Sequence, residues 1–236
     1  MKKTFILIHG AWYGAWCWEK ITPLLLQLGH EVWAPDLSNN AGTTLKSLVS
    51  ELSMHIESAQ SPVILVGHSM AGILLSQLAE KMPEKIDSLV YLSAFIPTNR
   101  GCLLEEVEQL TEFGLSTEVI LEASQQFIGL RGGDRTAHLL LNQCCKEDVE
   151  HVLRRLKAQI FQPFRAHVHL SVENFGRVPK YYIVCQQDLV VLPADQLKMA
   201  IRAHCKISYL EHADHAAFYS TPGALVNLLE IQMAHC

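Results

Sequence analysis

Short apolar runs alternate with segments of helical periodicity along the first hundred residues. Strands of a parallel sheet are covered on both faces, so they appear as brief, continuously apolar or β-branched runs. Four segments have this character: 4–9, 30–34, 63–67 and 86–93. Two segments between them, 19–28 and 45–56, place apolar residues three, four and seven positions apart, as an amphipathic helix requires. Alternating strands and helices predict a parallel sheet with right-handed crossovers.

The strand pattern resumes only after a gap of about eighty residues. Strands are predicted at 180–185 and 206–210 with a helix at about 194–203 between them, and a last helix begins at Thr221 and Pro222. A structureless loop as long as the gap is improbable in a compact domain. Apolar periodicity instead predicts helices at about 117–127 and 149–160.

The resulting prediction is one doubly wound α/β domain with a mostly parallel sheet of about six strands. Residues 1–96 and 178–236 form its core, and residues 97–177 form a helical cap, or lid, inserted in that core. The cap is not a free second domain, because its two ends leave and re-enter the same sheet.

Composition and charge narrow the possible partners. Hydrophobic residues make up 49% of the chain and charged residues 18%, which is typical of a folded protein. The 19 basic and 24 acidic residues give a net charge of −5 without any long basic run, so neither nucleic acid nor an anionic membrane is expected as a partner. A small-molecule ester substrate is the expected partner, and a homodimer stays an open alternative.

Seven cysteines without a C-x-x-C pair predict neither a disulfide framework nor a zinc knuckle, so reduced thiols and a cytoplasmic location are expected. The apolar run near the N-terminus stops at His9, which is too short for a signal peptide. No apolar stretch approaches the length of a membrane-spanning helix.

Ser69 is the candidate nucleophile. It lies in the segment Gly67-His-Ser-Met-Ala71-Gly72, which follows a predicted strand and precedes a helical pattern. Small residues around a serine in this context are typical of a nucleophile elbow, a sharp turn that raises the hydroxyl above the sheet. The usual second glycine is replaced by Ala71. The alternative is a serine in an ordinary turn or a helix N-cap.

Asp188 and His215 are the candidate partners of Ser69. A serine needs a base to take its proton, and the base needs a carboxylate that orients it. Both residues follow strands at the edge where parallel sheets bind ligands, and they occur in the order Ser, acid, His. Asp214 is the rival acid and His212 the rival base.

The segment His9-Gly10-Ala11-Trp12 closes the first strand and predicts an oxyanion hole. The backbone amides of Ala11 and Met70 are the candidate donors, and Gly10 lets the backbone approach the substrate. The alternative is a tight turn beside a buried histidine.

These motifs together resemble the α/β-hydrolase superfamily, specifically its methylesterase and hydroxynitrile lyase branch. The resemblance extends over nearly the whole chain and is weakest at about 100–138. It implies that Ser69, Asp188 and His215 form a catalytic triad and that the Ala11 and Met70 amides form the oxyanion hole. The lyases of the branch carry a threonine where this chain has Gly10 and a lysine where it has Ala216. Their absence implies a cofactor-free carboxylic-ester hydrolase rather than a lyase.

Two other functions are alternatives to ester hydrolysis. A metallohydrolase is suggested by the pairs His167-Val-His169 and His212-Ala-Asp-His215, but neither pair continues to a third ligand at a recognised interval, so no metal is expected. A non-catalytic small-ligand receptor on the same fold is the stronger rival.

The substrate pocket is the least determined part of the prediction. Phe127, Phe161 and Phe164 in the cap are candidates for an apolar lining, although packing in the cap core explains them equally well. Trp12 and Tyr13 are expected at the pocket mouth beside Gly10.

Overall fold

The computed structural model describes residues 2–233 and places nine strands in that part of the chain. Six of them were predicted, and each lies within two residues of its predicted bounds. The strands are β1 (Thr4–Ile8), β2 (Glu31–Trp33), β3 (Val63–His68), β4 (Ile86–Leu92), β5 (Val119–Leu121), β6 (Phe127–Leu130), β7 (Gln159–Ile160), β8 (Lys180–Cys185) and β9 (Lys206–Leu210).

Ten α-helices occupy the same part of the chain. Helix α2 is capped by Thr44, whose hydroxyl accepts the Ser47 amide in a capping box. The helices are α1 (Thr22–Gln27), α2 (Leu45–Ser58), α3 (Ala71–Lys81), α4 (Leu103–Glu108), α5 (Gly133–Leu141), α6 (Lys146–Arg155), α7 (Gln162–Arg165), α8 (Pro193–Arg202), α9 (Ala217–Ser220) and α10 (Pro222–Met233).

The main sheet has six parallel strands in the order β2-β1-β3-β4-β8-β9, so the predicted α/β fold is confirmed. From β1 the chain moves outward to β2, returns to β3 on the other side of β1, and continues in that direction. The strand order therefore reverses between β1 and β3. Ligands of open parallel sheets bind at such a switch point, beyond the carboxyl ends of the strands. The loop after β1 and the turn after β3 meet there.

The core is centred on the middle strands. Every residue of β3 and of β8 is buried, as the continuous apolar runs in the sequence predict. Burial of each large aliphatic side chain contributes about 1.5–3 kcal/mol, so these strands supply much of the stability. No helix between residues 2 and 233 combines the length and the apolar character that crossing a membrane requires.

The segment 97–177 differs from its predicted helical content. The helix predicted at about 117–127 is wrong: β5 and β6 form an antiparallel hairpin there, and β7 adds a third strand. Val119 and Ile120 are β-branched and pair across the hairpin, while Gln125 takes a positive φ of 55° in the connecting turn. A short apolar run is compatible with both the helical and the strand periodicity. Here its pairing with a distant strand determines that it forms a strand.

The second helix predicted in this segment is only partly right. α6 covers Lys146–Arg155 and buries Val152, but it ends before Ile160, which lies in β7. The backbone at Leu156 is extended, with φ −58° and ψ 138°, and this directs the chain into the small sheet. The predicted boundaries between core and cap, at residues 96/97 and 177/178, stay a prediction.

Gly72 controls the packing at the start of α3. A Cβ at this position would lie 2.0 Å from the carbonyl oxygen of Phe95, far inside contact distance. The Phe95 amide in turn donates to the carbonyl of Ser69 at 3.1 Å. The absence of a side chain at position 72 therefore lets the segment after β4 pack against the turn that holds Ser69.

We expect Gly72→Ala to lower the free energy of unfolding by about 1–3 kcal/mol, because backbone atoms must move to admit the methyl group. Urea denaturation measures this change. Gly223→Ala is the matched control, since a Cβ there meets no atom within 4 Å. If both variants were equally stable, the close packing at Gly72 would not be a constraint.

Candidate active site

Ser69 occupies a strained turn between β3 and α3. Its φ is +52°, which is rare for a residue with a side chain, and its side chain is buried with 8% of its surface exposed. The Ser69 amide donates to Leu92 at 3.2 Å, so the turn remains joined to β4. Strain of this kind persists only where surrounding contacts fix it, and it is typical of a nucleophile elbow.

Glycines allow other backbone segments to approach this turn. A Cβ on Gly10 would lie 2.8 Å from Nδ1 of His68 and 3.0 Å from Cβ of Ser69. A Cβ on Gly67 would lie 2.5 Å from the side chain of Leu75 on α3. The loop after β1 therefore lies directly against the turn that carries Ser69.

Asp188 and His215 are hydrogen-bonded to each other. Nδ1 of His215 and Oδ2 of Asp188 are 2.8 Å apart, and both side chains are almost fully buried. An ionised carboxylate only accepts, so Nδ1 carries the hydrogen and Nε2 is left able to take up a proton. This is the tautomer that a general base requires.

The Asp188 carboxylate is held by four further donors. Oδ1 accepts the backbone amides of Val190 and Val191 at 2.7 and 3.0 Å. Oδ2 accepts Nε2 of Gln196 at 3.1 Å and also the hydroxyl of Ser93. Because a buried charge is tolerated only when it is paired and hydrogen-bonded, these donors keep the carboxylate in place.

Sequence reasoning missed both side chains that support Asp188. Ser93 directly follows β4, and its φ of 42° is again in the left-handed region. A polar residue at the carboxyl end of a central strand was an available signal for it. Gln196 lies on α8, eight residues after Asp188, and nothing in its sequence context distinguishes it from a surface glutamine.

His215 and Ser69 are joined through His68. Nε2 of His68 and the carbonyl oxygen of His215 are 2.8 Å apart, so Nε2 is the donor, and the two imidazole rings are 4.6 Å apart. His68 directly precedes Ser69. The hydrogen bond therefore holds the loop of His215 over the strand that ends at the candidate nucleophile.

Asp214, the rival acid, has a different set of contacts. Oδ1 accepts the Ala216 amide and the Ser220 hydroxyl at 3.0 and 2.9 Å. Oδ2 accepts the Gln143 amide at 2.8 Å and the Cys144 thiol at 3.4 Å. Burial raises the pKa of this carboxyl group. Asp214 thus joins the cap to the loop of His215.

The other candidate base, His212, and the adjacent cysteines Cys144 and Cys145 are not part of the Asp188–His215 pair. His212, the rival base, is exposed on the surface. Cys144 contacts Asp214, which accounts for one of the two adjacent cysteines, while Cys145 is exposed and precedes α6. Among the candidates for base and acid, the structure brings together His215 and Asp188.

The two candidate oxyanion donors flank Ser69 in space. Met70 directly follows the serine and immediately precedes α3, and Ala11 lies in the loop after β1; both are buried. Within residues 2–233, neither amide donates to another backbone group. Two unused amides beside a strained serine are suited to bind developing negative charge.

His9 is buried and has a structural role in this loop. Its Nε2 accepts the amide of Leu37 at 3.1 Å, so Nδ1 carries the hydrogen and donates to the carbonyl of Gly10 at 2.8 Å. Burial lowers the pKa of His9. A neutral histidine thus fixes the backbone that leads into Ala11.

Trp12 and Tyr13 were expected at the mouth of the pocket, but the structure buries both side chains. Trp12 has a φ of 67°, and its indole nitrogen donates to the carbonyl of Ile128 in β6 at 3.1 Å. The Tyr13 ring packs edge-on against His68 and Phe218, at centroid distances of 5.6 and 5.5 Å. Both aromatic residues therefore anchor the loop after β1.

The three cap phenylalanines pack within the cap. Phe127 pairs with Ile160 in the small sheet, and the rings of Phe161 and Phe164 are 5.8 Å apart. None of the described contacts joins them to Ser69. Their predicted role as pocket lining remains a prediction.

Comparisons with known proteins agree with this architecture. Residues 5–228 match the alpha/beta hydrolase family. Salicylic acid-binding protein 2 of Nicotiana tabacum is 33% identical over 97% of this chain and 96% of its own length. Methylesterase 2 of Arabidopsis thaliana is 30% identical over 95% and 93%, respectively. The crystal structure of polyneuridine aldehyde esterase superposes with a TM-score of 0.85 at 26% identity, covering 98% of this chain and 100% of that one.

The chain therefore belongs to the α/β-hydrolase family, in its methylesterase branch. It is an enzyme that hydrolyses carboxylic ester bonds.

We expect the free energy of unfolding to fall as the pH is lowered from about 7.5 to about 5.5. Burial lowers the pKa of His9 and of His68 below 6.5, so in this window the unfolded chain binds protons that the folded chain does not. The stabilisation is complete above about pH 6.5 and is lost below it, at up to about 1.4 kcal/mol per pH unit for each histidine. Urea unfolding at a series of pH values measures the slope.

The window lies above the ordinary carboxyl range, so acidic side chains with ordinary pKa values contribute little to the slope. Asp214, whose pKa is raised by burial, acts in the opposite direction, because its folded form binds a proton more readily as the pH falls. His68→Gln should make the slope shallower, whereas His212→Gln, at an exposed position, should leave it unchanged. A stability that does not vary with pH would contradict the neutral state of the two buried histidines.

Proposed function

We propose that the protein is a serine esterase that cleaves small, largely apolar esters through an acyl-enzyme. The observation that carries the proposal is the buried Asp188–His215 hydrogen bond beside the positive-φ turn at Ser69. A base of the correct tautomer next to a strained serine has the composition and chain order of a hydrolytic triad.

In the proposed mechanism the Ser69 hydroxyl attacks the ester carbonyl carbon while Nε2 of His215 takes its proton. The carbonyl oxygen becomes an oxyanion, and the amides of Ala11 and Met70 donate to it. The intermediate then expels the alcohol, which receives the proton from His215, and Ser69 remains acylated. Water attacks the acyl-enzyme with His215 again as base, releasing the acid and restoring the serine. Asp188 orients the imidazole and stabilises its charged form throughout.

The surroundings of Gly10 favour ester hydrolysis over the lyase chemistry of the same branch. A Cβ there would already press on His68 and Ser69, so this packing leaves no room for a threonine side chain. Ala216, at the position after the candidate base, is fully buried and offers no cation. Without these two groups the site lacks a means to bind a cyanohydrin hydroxyl and a departing cyanide.

Labelling with a fluorophosphonate tests the nucleophile. The wild-type protein should form one covalent adduct, on the peptide that contains Ser69, and Ser69→Ala should form none. Ser69→Ala should also reduce kcat for an activated ester by about four to six orders of magnitude, since the triad acts as a unit. Peptide mass analysis and ester kinetics provide the two measurements.

The two aspartates provide a matched comparison. Asp188→Asn should lower kcat on the order of 10⁴-fold, because the amide imposes the wrong tautomer on His215. Asp214→Asn should affect kcat far less, because its oxygens accept from the backbone, Ser220 and Cys144 rather than from the imidazole. If the wild-type protein were folded but not labelled, the alternative function, that of a small-ligand receptor, would be favoured. The name of the relative salicylic acid-binding protein 2 refers to such ligand binding.

The substrate class is proposed to be methyl esters of small apolar acids. Relatives at about 30% identity are named methylesterases, which supports the alcohol part. A cavity of about 290 Å³ between the loop after β1 and the cap is lined by Trp12 and by residues such as Gly129, Leu130 and Leu156. This volume lies at the lower end of ligand pockets and suits a short acyl group. Ser69, Asp188 and His215 are not among the residues that line the cavity, so its assignment to the acyl group rests on the proposal alone.

Filling the cavity tests this assignment. A Cβ on Gly129 would meet no atom within 4 Å, so Gly129→Val should occupy the cavity without a clash. We expect the ratio of kcat/KM for methyl hexanoate to that for methyl acetate to fall by about tenfold or more. Gly42→Val, where a Cβ would contact only Asn40 in a separate loop, is the control. An unchanged ratio in Gly129→Val would place the acyl group elsewhere.

A further inference from the structure

Three chemically different metal ligands converge where the chain enters and leaves the 97–177 segment. Sγ of Cys102, a carboxylate oxygen of Glu105 and a ring nitrogen of His167 all lie within 4.8 Å of one another. They form the one such group of three or more found between residues 2 and 233. We propose that this cluster is a zinc site, which is separate from the ester-hydrolysing site and does not depend on the serine mechanism.

The donor set favours zinc over hard cations. Thiolate, imidazole and carboxylate are the three ligand types of protein zinc sites, whereas Mg²⁺ and Ca²⁺ bind oxygen almost exclusively. Three protein ligands leave a fourth tetrahedral position for water. Ligand atoms around tetrahedral zinc are about 3.5 Å apart, so ligand atoms that now lie up to 4.8 Å apart need to approach by up to about 1.3 Å. Glu105 and His167 are exposed and can supply that movement by rotation of their side chains.

The ligands on α4 are already oriented by the helix start. Cys102 is the N-cap residue, and its Sγ accepts the backbone amide of Glu105. Oε2 of Glu105 accepts the Cys102 amide at 3.0 Å, and this leaves Oε1 facing Nε2 of His167 at 3.4 Å. Each ligand on α4 therefore has an outer hydrogen bond that fixes it, as ligands of metal sites usually do.

The third ligand is brought to α4 by backbone pairing. The Val168 amide donates to Gly101 at 2.9 Å, and the Arg100 amide donates back to Val168 at 3.0 Å. His167 is next to Val168, and Cys102 is next to Gly101. The pairing therefore fixes the positions of both ligands even before a metal binds.

A bound zinc ion would connect the segment that enters the cap to the segment that leaves it. Cys102 and Glu105 lie just after β4, and His167 lies shortly before β8, 65 residues after Cys102 in the sequence. The ion would stabilise the base of the cap. This proposal departs from the expectation, drawn from the spacing of histidines along the sequence, that the chain holds no metal.

The test uses the untagged full-length protein, stripped with a chelator and titrated with Zn²⁺ against a chromophoric chelator. We expect one tight site per chain, and the same titration with Mg²⁺ or Ca²⁺ should show none. Cys102→Ser, Glu105→Gln and His167→Asn should each weaken zinc binding by at least about tenfold. His169→Asn and Cys145→Ser remove a neighbouring imidazole and an exposed thiol outside the cluster, and neither should alter binding.

Two readouts localise the ion independently of enzymatic activity. Co²⁺ in place of zinc should give the ultraviolet charge-transfer band of a thiolate ligand, which Cys102→Ser should abolish while Cys145→Ser retains it. Zinc should also slow amide hydrogen exchange within about 98–106 and 164–170 and raise the Tm of the wild-type protein by several degrees. Zinc binding that survives in all three ligand variants, or the absence of a tight site, would overturn the proposal.

Discussion

The close approach of three backbone segments around Ser69 is the constraint on which the rest of the site depends. The turn after β3, the loop after β1 and the segment after β4 meet within contact distance, and Gly10 and Gly72 occupy the points of contact. Gly67, at the end of β3, leaves room for the Leu75 side chain of α3. The positive φ of Ser69 is maintained because its amide and carbonyl are both hydrogen-bonded, to Leu92 and Phe95. Packing and hydrogen bonding together thus offset the local strain, and the serine is displayed at the switch point of the sheet.

Buried polar groups extend this rigidity to the neighbouring loops. His68 donates to the backbone of His215, His9 links the loops after β1 and β2, and Asp188 is held by five donors in all. Each of these groups is costly to bury and is stabilising only when satisfied. Geometry at the site therefore depends on interactions among residues that are far apart in the sequence. A single lost partner would leave an unsatisfied group in the interior.

The sequence was most informative where one local signal determined the structure. Six core strands could be predicted because buried parallel strands are continuously apolar. Ser69 could be nominated because it directly follows β3, and Asp188 and His215 because they lie three and five residues after the ends of β8 and β9. Pairing between distant segments could not be inferred in this way. Val119 and Ile120 fit a helix or a strand equally well until β6 is placed beside them. Gln196 and the Asp214–Cys144 contact likewise depend on the folded arrangement alone, whereas Ser93 had a local signal in its position at the end of β4.

The main sheet and the segment 97–177 contribute different contacts to the candidate site. The core positions the reacting groups through short, buried contacts that tolerate little change. Hydrogen bonds that join the segment 97–177 to the main sheet include those from the Trp12 indole to the Ile128 carbonyl, from the Ile160 amide to Asn39 and from the Gln143 amide to Asp214. Each of these bonds involves a loop that follows a strand of the main sheet, so the segment 97–177 is held against the loops around the candidate site. The residues that line the 290 Å³ cavity are not among the donors that orient Asp188 and His215, so substitutions at Gly129 or Leu130 leave those donors in place.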